Sequence, residues 1–240
     1  MVTVGKKNKA TRERWLKQTL EKIPKGSRIL DAGAGEQQYK KFCNHLNYVS
    51  QDFSQYDGKG DGRGLQKGEW DQSKIDIVSN ITTIPEPDAS FDAIMCIEVF
   101  EHLPAPIKAL EELTRLLKPN GHLIITAPFC SITHYAPYHF YSGFNRYFYE
   151  TFLKENGYEI IDLEENGNFF EFIAQEIRRI PSIVNLFVKK SRATRRKSFF
   201  IKKLSKYILM PLLEFFSKND HGSSELLSFG YHVYAVKKGL

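Results

Sequence analysis

The chain of 240 residues is long enough for one sizeable domain, and its hydrophobic fraction of 42% and aromatic fraction of 13% exclude a disordered protein. Its three cysteines, Cys43, Cys96 and Cys130, are widely spaced, which argues against a disulfide framework or structural zinc site and favours a reducing, cytoplasmic compartment. Residues 178–206 hold eleven basic and no acidic residues, so this one segment sets the net charge of +6, and the rest of the chain is mildly acidic.

Helices and strands are predicted to alternate along most of the chain. Apolar residues at helical spacing, such as Leu110, Leu113 and Leu117, mark the helices, and short apolar runs bounded by turn residues mark the strands. This alternation is typical of α/β proteins with a parallel sheet. The predicted helices cover residues 10–22, 36–46, 107–117 and 144–155, and the predicted strands cover residues 28–33, 48–53, 75–79, 91–99, 122–129, 158–164 and 230–238.

The predicted architecture is a doubly wound, Rossmann-like α/β fold, with a mainly parallel seven-stranded sheet and helices on both faces. We expect a single domain over residues 1–240, in which a basic helical insert, residues 168–229, separates the last two strands. Residues 54–74 hold five glycines without a period and are predicted to form a loop in place of the second helix. Because no strand-to-helix junction flanks these glycines, flexible surface is favoured over a phosphate cradle.

The turn after the first strand carries negative charge on both sides. In a doubly wound sheet, ligands bind where the first strand ends and the first helix begins. Gly33 and Gly35 match the first two glycines of a dinucleotide-binding turn, but Gln38 stands at the third position. Asp31 and Glu36 flank the turn, and two carboxylates would repel a pyrophosphate. The pattern instead suits a ligand that carries an ammonium group.

S-adenosylmethionine is a ligand of this kind, because it joins adenosine to a zwitterionic amino acid through a sulfonium and has no phosphate. Glycines in the turn would let the backbone approach this ligand closely. A ribose also needs a carboxylate about twenty residues on, at the end of the second strand. Asp52 stands 21 residues after Asp31. The pattern therefore predicts S-adenosylmethionine as the cofactor and S-adenosylhomocysteine as its product.

Residues 26–165 and the last strand resemble the class I S-adenosylmethionine-dependent methyltransferases, in particular the small-molecule branch with methyltransferase type 11-like domains. The resemblance rests on ILDAGAGE, SQDFS and LKENGYEII, and above all on the long block NITTIPEPDASFDAIMCIEVFEHLPAPIKALEELTRLLKPNGHLIITAP. It implies an enzyme that transfers a methyl group to an oxygen or nitrogen of a small acceptor, such as a sugar or a lipid-linked precursor.

The resemblance also implies roles for the positions that match the family's motifs. Asp31, Gly33 and Gly35 would hold the methionine part of the cofactor. Asp52 would bind the ribose, and Phe53 would lie beside the adenine.

The adenine end of the site departs from the family at one position. The family usually has an aspartate where this chain has Asn80, whose amide oxygen could accept from the adenine amino group only without charge assistance. The backbone N–H of Ile81 could meet an adenine ring nitrogen, and the backbone of Ile97 and Glu98 would close the site near the sulfonium. We therefore expect somewhat weaker cofactor binding, not its loss.

The segment PFCSITHYAPYHFYSGFNRYFY, after the fifth strand, is the predicted acceptor wall. His134 and His139 are candidate general bases, with packing of a helix onto the sheet as the alternative for each. His102 is expected to satisfy backbone groups near the turn after the fourth strand, and no metal site is expected from these three histidines. The candidate orienting groups are Tyr135, Tyr138, Asn145 and Arg146.

The basic insert mixes cations with large apolar residues. Lys202, Lys203, Lys206 and Glu214 interrupt its apolar run, so it is not expected to span a bilayer. The favoured interpretation of the insert is a helical lid over the acceptor pocket. Peripheral contact with an anionic membrane is the second interpretation, and binding of nucleic acid is the third. The alternative functions are RNA methylation with the insert as an electrostatic grip, and a non-catalytic module that binds S-adenosylmethionine.

Overall fold

The computed structural model describes residues 2–239, which form two compact units. The first unit contains residues 2–13 and 165–229, and the second contains residues 14–164 and 230–239. The α-helices are α1 (Asn8–Leu20), α2 (Pro106–Leu116), α3 (Arg146–Glu155), α4 (Phe169–Phe187), α5 (Arg192–Leu204) and α6 (Met210–Lys218). The strands are β1 (Arg28–Ala32), β2 (Asn47–Asp52), β3 (Ile77–Val78), β4 (Phe91–Ile97), β5 (Leu117–Pro128), β6 (Tyr158–Asn166) and β7 (Gly230–Lys237).

The seven strands form one sheet in the order β3-β2-β1-β4-β5-β7-β6. The pairs β2–β3, β1–β2, β1–β4 and β4–β5 are parallel, whereas β5 and β7 are antiparallel. This confirms the predicted Rossmann-like, mainly parallel seven-stranded sheet. The strand order reverses between β1 and β4, and the carboxyl ends of these two strands are where ligands of such sheets bind.

Both faces of the sheet are covered by apolar side chains. Successive residues of a strand point to opposite faces, so Ile29 packs with Leu16 and Leu20 of α1, while Leu30 packs with Leu110 and Leu113 of α2. Burial on both faces explains why the strands read as nearly continuous apolar runs in the sequence.

The helix predicted over residues 36–46 is wrong. Only a single 3₁₀ turn, Lys40–Phe42, forms there. Gly35 and Gln37 have φ values of +54° and +57°, in the left-handed region, which interrupts a right-handed helix at its start. The fifth strand also begins earlier than predicted, since β5 follows α2 directly at Leu117.

Between β6 and β7 the chain forms α4, α5, a π-helical turn (Ser205–Leu209), α6 and a 3₁₀ turn (Ser223–Glu225). In the first compact unit, which also includes the N-terminal residues 2–13, Val4, Ala174 and Met210 form a small buried core. No helix among residues 2–239 is both long and apolar enough to cross a bilayer.

Candidate active site

The glycine turn follows β1 and is tied to β2. The backbone N–H groups of Gly33 and Ala34 donate to the carbonyl oxygen of Gln51, both at 2.9 Å. Gly33 has a φ of +76°, and a Cβ at this position would lie 2.6 Å from Cγ2 of Val99. Glycine is therefore required here both by conformation and by the close approach of Val99, the second residue after β4.

Asp31 is a buried carboxylate at the end of β1. Its Oδ2 accepts a hydrogen bond of 2.6 Å from the Tyr48 hydroxyl, and it forms no ion pair with another of the described residues 2–239. Burial raises the pKa of Asp31 to about 7, the Tyr48 hydroxyl opposes this rise, and the charge of Asp52 adds to it. A buried carboxylate without a basic partner is stabilised as an anion when a cationic ligand enters, so the residues present fit the ammonium group of S-adenosylmethionine.

Asp52 ends β2 and faces the glycine turn. Its Oδ2 accepts from the N–H of Gly35 at 2.9 Å, and its Oδ1 accepts from the N–H of Ser54 at 2.9 Å and from Nε2 of Gln72 at 2.8 Å. Burial raises the pKa of Asp52, and the backbone N–H donors lower it in part. The side chain lies where the sequence predicted, but Gln72 already uses one of the oxygens that a ribose would need.

The glycine-rich loop, residues 54–74, packs against the site through Trp70, although four of its five glycines are exposed. A Cβ at Gly35 would lie 2.7 Å from Cζ2 of Trp70. Lys67 forms an ion pair with Glu36, so one of the two predicted anionic groups beside the turn is compensated within the chain. The anionic character that the sequence assigned to Asp31 and Glu36 together therefore resides in Asp31.

The same loop pairs with the segment that follows β5. The N–H of Leu65 donates to the carbonyl of Thr133 at 3.0 Å, and the N–H of Tyr135 donates to the carbonyl of Leu65 at 2.9 Å. Gly64 permits this approach, since a Cβ there would lie 2.5 Å from the Thr133 carbonyl oxygen. The loop glycines thus allow two backbones to meet, which was not predicted.

The remaining predicted cofactor residues lie at or just after the ends of β2, β3 and β4. Phe53 makes an edge-to-face contact with Tyr138, with ring centroids 4.9 Å apart. The amide oxygen of Asn80 accepts from both the N–H and the hydroxyl of Thr82, each at 3.0 Å, whereas the adjacent Ile81 is buried. An adenine amino group could use this oxygen only if Thr82 released it.

At the end of β4, Ile97 is buried and Glu98 has a left-handed φ of +57°. The N–H of Glu98 donates to the carbonyl of Thr126, and its Oε1 accepts from the Thr126 hydroxyl at 2.9 Å. These two bonds join the turn after β4 to Thr126 of β5. The turn leads into the residues that contact the glycine turn and the histidines.

Three histidines and Glu101 come together beside this turn. The ring centroids of His102 and His134 are 4.7 Å apart, those of His134 and His139 are 4.8 Å apart, and those of His102 and His139 are 6.0 Å apart. Burial, and then the nearby His134 and His139, lower the pKa of His102 to about 3. Its Nδ1 contacts the carbonyl of Tyr138, in line with the expected backbone contact.

An aromatic chain connects the histidines with the glycine turn. Tyr135 stacks on His102 with ring centroids 5.4 Å apart and lies 5.5 Å from the ring of Trp70, which covers Gly35. The histidine cluster is therefore next to the predicted cofactor site. Sequence reasoning missed Glu101, Trp70 and Gln72, because nothing in their local spacing marks them.

Two of the predicted orienting groups serve α3 instead. The Asn145 side chain caps this helix by accepting from the N–H of Phe148, and Arg146 forms an ion pair of 2.9 Å with Glu150. Tyr135 and Tyr138, in contrast, contact the histidine cluster.

The model of one protein family, described as a methyltransferase domain, matches residues 6–176 of the chain. The chain belongs to this family. The sheet and helices are those of the class I S-adenosylmethionine-dependent methyltransferases, as the sequence resemblance implied. The match covers the glycine turn, both aspartates and the histidine cluster, so all of them belong to the methyltransferase domain.

Among curated proteins, the methyltransferase domain is 33% identical over 110 residues to a tRNA (carboxymethyluridine(34)-5-O)-methyltransferase of Arabidopsis thaliana, which covers 45% of this chain and 25% of that protein. It is 35% identical over 63 residues to a ubiquinone biosynthesis O-methyltransferase of Xylella fastidiosa, covering 26% of this chain and 25% of that protein. Each match therefore spans only a quarter of the relative's length.

Solved structures share the fold across nearly the whole chain. A SAM-dependent methyltransferase of Archaeoglobus fulgidus has a TM-score of 0.55 at 15% identity, covering 95% of this chain and 94% of that one. The [4+2]-cyclase SpnF has a TM-score of 0.55 at 20% identity, covering 94% and 80%. At such identities the similarity establishes the fold alone, and a fold can host more than one chemistry.

Proposed function

We propose that this chain transfers a methyl group from S-adenosylmethionine to an oxygen or nitrogen atom of a small-molecule acceptor, such as a sugar or a lipid-linked precursor. The observation that carries the proposal is Asp31, a buried carboxylate without a basic partner among residues 2–239, beside the glycine turn of a methyltransferase domain. S-adenosylmethionine supplies an electrophilic methyl group bound to a sulfonium.

The chain's own residues bind and orient this cofactor. Asp31 pairs with its ammonium group, and Asp52 accepts from the ribose hydroxyls. Because Gln72 donates to Oδ1 of Asp52, the loop of residues 54–74 has to release that oxygen before a ribose can use it fully. Phe53 and Ile81 provide apolar contact for the adenine. The backbone of Ile97 and Glu98 closes the site at the reacting end.

His139 is the side chain best placed to take a proton from the acceptor. The Ser131 hydroxyl donates to the carbonyl of Ser142 at 2.9 Å, so the 3.1 Å contact between Ser131 Oγ and His139 Nε2 places the ring proton on Nε2. Nδ1 of His139 then carries the lone pair that a general base needs. His134 is the second candidate, but its Nε2 faces Oε1 of Glu101 at 4.0 Å.

The direct test is incubation of the protein and isotopically labelled S-adenosylmethionine with metabolite extracts, followed by mass spectrometry. Transfer of label to a small molecule is the expected result, and it also identifies the acceptor atom. Cofactor binding without transfer to any acceptor would support the non-catalytic module instead. Absence of cofactor binding would contradict the proposal altogether.

Replacing Gln72 by alanine is expected to strengthen cofactor binding about five- to tenfold, because it frees Oδ1 of Asp52 from one hydrogen bond worth about 1 kcal/mol. Titration calorimetry and stopped-flow fluorescence of Trp70 measure the affinity and the association rate. Gln55→Ala, an exposed change in the same loop, serves as the matched control. Weaker binding by Gln72→Ala would mean that Gln72 contacts the cofactor.

We further propose that the basic insert contacts an anionic membrane. Large apolar side chains on α5 lie in solvent beside its cations, with Phe199 and Phe200 59% and 65% exposed. Such a mixture suits a lipid interface, where cations meet headgroups and apolar side chains enter the acyl boundary. The exposed phenylalanines favour lipid over a nucleic acid backbone.

Flotation with phosphatidylglycerol vesicles tests this contact. The double change Phe199→Ser and Phe200→Ser is expected to abolish flotation, while wild-type protein floats with these vesicles and not with phosphatidylcholine. Leu226→Ser removes an exposed apolar side chain outside the basic segment and should leave flotation unchanged. Equal flotation of wild type and the double variant would contradict the proposal.

RNA methylation is the second candidate function, because one relative is a tRNA methyltransferase by name and the insert is strongly basic. Labelling of tRNA rather than of small molecules, together with RNA binding whose affinity falls steeply with salt, would favour it.

A further inference from the structure

We propose that Glu101, His102 and His134 form a binding site for one divalent transition-metal ion. One ligand atom of each residue lies within 4.8 Å of those of the other two. Oε1 of Glu101 is 3.7 Å from Nε2 of His102 and 4.0 Å from Nε2 of His134. Ligand atoms around a tetrahedral ion with bonds of ~2.0–2.1 Å are about 3.3 Å apart, so modest rotation of these side chains closes the site.

The hydrogen bonds of the two histidines orient their rings for this role. Nδ1 of His102 contacts the carbonyl oxygen of Tyr138, and Nδ1 of His134 contacts that of Ile132 at 2.9 Å. A carbonyl oxygen only accepts, so each ring carries its proton on Nδ1 and a lone pair on Nε2. Histidines that bind metals usually donate their other ring N–H to such a group.

Two imidazole nitrogens thus lie near one carboxylate oxygen. Nε2 of His102 and Nε2 of His134 are both within 4.0 Å of Oε1 of Glu101. A cation between these atoms would be attracted by the carboxylate and could accept an electron pair from each imidazole. The carboxylate belongs to a buried residue, while the histidines are partly accessible, so an ion could enter from their side.

The ligand types define the class of ion. Two imidazole nitrogens and one carboxylate oxygen suit Zn²⁺, Co²⁺, Fe²⁺ or Ni²⁺, whereas Mg²⁺ prefers an all-oxygen octahedral shell. Three protein ligands leave at least one coordination position open, which is typical of catalytic and not of structural sites. His139 lies within ring-contact distance of both metal-binding histidines and faces the same region.

The folding of the sheet creates the site. Glu101 and His102 lie in a 3₁₀ turn (Phe100–His102) after β4, and His134 follows β5, 32 residues further along the chain. These strands are parallel neighbours, so their carboxyl ends meet at one edge of the sheet. The proposal therefore departs from the sequence-based expectation, which did not include a metal site among the histidines.

A metal in this position would bear on the reaction, and this step rests on the proposed function. A hydroxyl oxygen of the acceptor that occupies the open coordination position would lose its proton more easily, because the ion stabilises the alkoxide. His139 would then accept the proton. The carbon–sulfonium bond breaks as the new oxygen–carbon bond forms, and the electron pair stays with sulfur.

Metal binding can be measured without cofactor or acceptor. The full chain, stripped with a chelator and dialysed, is titrated with Co²⁺ while its visible absorption and binding heat are recorded. One ion per chain with intense bands of a four- or five-coordinate site is expected, and Zn²⁺ should displace it. Glu101→Gln and His134→Ala should each weaken binding at least about 100-fold, beyond the 10- to 100-fold effect of changes outside the ligand shell.

Two controls separate this site from adventitious binding and from misfolding. His221→Ala removes an exposed histidine elsewhere and should bind Co²⁺ as wild type does. The Glu101 and His134 variants should still bind S-adenosylmethionine, which shows that they are folded. Failure of wild-type protein to bind Co²⁺, or equal binding by both variants, overturns the metal site. Methyl transfer that is unaffected by removal of the metal would overturn the role of the ion in the reaction, while leaving the proposed function intact.

Discussion

Replacing Asp31 by asparagine is expected to weaken S-adenosylmethionine binding by at least about 100-fold at pH 8. The substitution keeps the size of the side chain and its hydrogen bond from Tyr48, but it removes the one charge that pairs with the ammonium group. Loss of a charged partner in a buried site costs about 3 kcal/mol or more, which corresponds to this fold-change. Titration calorimetry measures the affinity, and unchanged binding would reject the role of Asp31.

The same substitution should make the ligand-free protein more stable at pH 8. The folded-state pKa of Asp31 is raised from its ordinary 3.8 to about 7, chiefly by burial, so the folded state binds this proton more tightly than the unfolded state. Stability therefore falls as pH rises from about 4 to 7, by at most about 4 kcal/mol. Asparagine carries no charge and avoids this cost.

The wild-type protein should also bind the cofactor more weakly in acid. Below pH 7 the Asp31 carboxyl is mostly protonated in the free protein, and the ammonium group requires its anion. Affinity should fall up to tenfold for each pH unit below 7, whereas Asp31→Asn should show no such dependence. Asp31→Asn should therefore weaken cofactor binding while it raises the stability of the ligand-free protein. This combination distinguishes a carboxylate that binds a ligand from one that only supports the fold.

Replacing His139 by alanine is expected to lower the turnover number about 10²- to 10⁴-fold, the usual contribution of a general base. Cofactor affinity should not change, because His139 lies on the acceptor side. Steady-state kinetics with the identified acceptor and calorimetry with S-adenosylmethionine separate the two effects. His221→Ala again provides the control for loss of a histidine, and an unaltered rate would assign His139 to packing.

The pH dependence of turnover gives a second readout for His139. Burial, and then the nearby His134, lower the pKa of His139 below its ordinary 6.5. A general base acts in its neutral form, so wild-type turnover should fall as the pH drops through this lowered pKa, at a more acidic pH than for an ordinary histidine. The His139→Ala variant should lack this acidic limb. Higher metal concentration should restore activity to His134→Ala and not to His139→Ala.

The strands could be predicted because burial on both faces produces continuous apolar runs, as in Phe91–Ile97. The helix predicted over residues 36–46 failed because the left-handed conformation of Gln37 depends on its surroundings; its amide donates to Ser50 Oγ at 3.1 Å. Asn145 and Arg146 were predicted to orient the acceptor. The sequence pattern did not distinguish that role from the helix cap that Asn145 forms and the ion pair that Arg146 forms.

The sequence by itself determined the α/β class, the glycine turn and the positions of Asp31 and Asp52, because periodicity and short spacings are local properties. Only the tertiary structure decided that Lys67 compensates Glu36, that Gln72 engages Asp52, and that Glu101 meets His102 and His134. Apart from the adjacent Glu101 and His102, these contacts join segments 20 to 33 residues apart. Such contacts are set by which strands are neighbours in the sheet and by how the loops between them pack, and no local pattern encodes that choice.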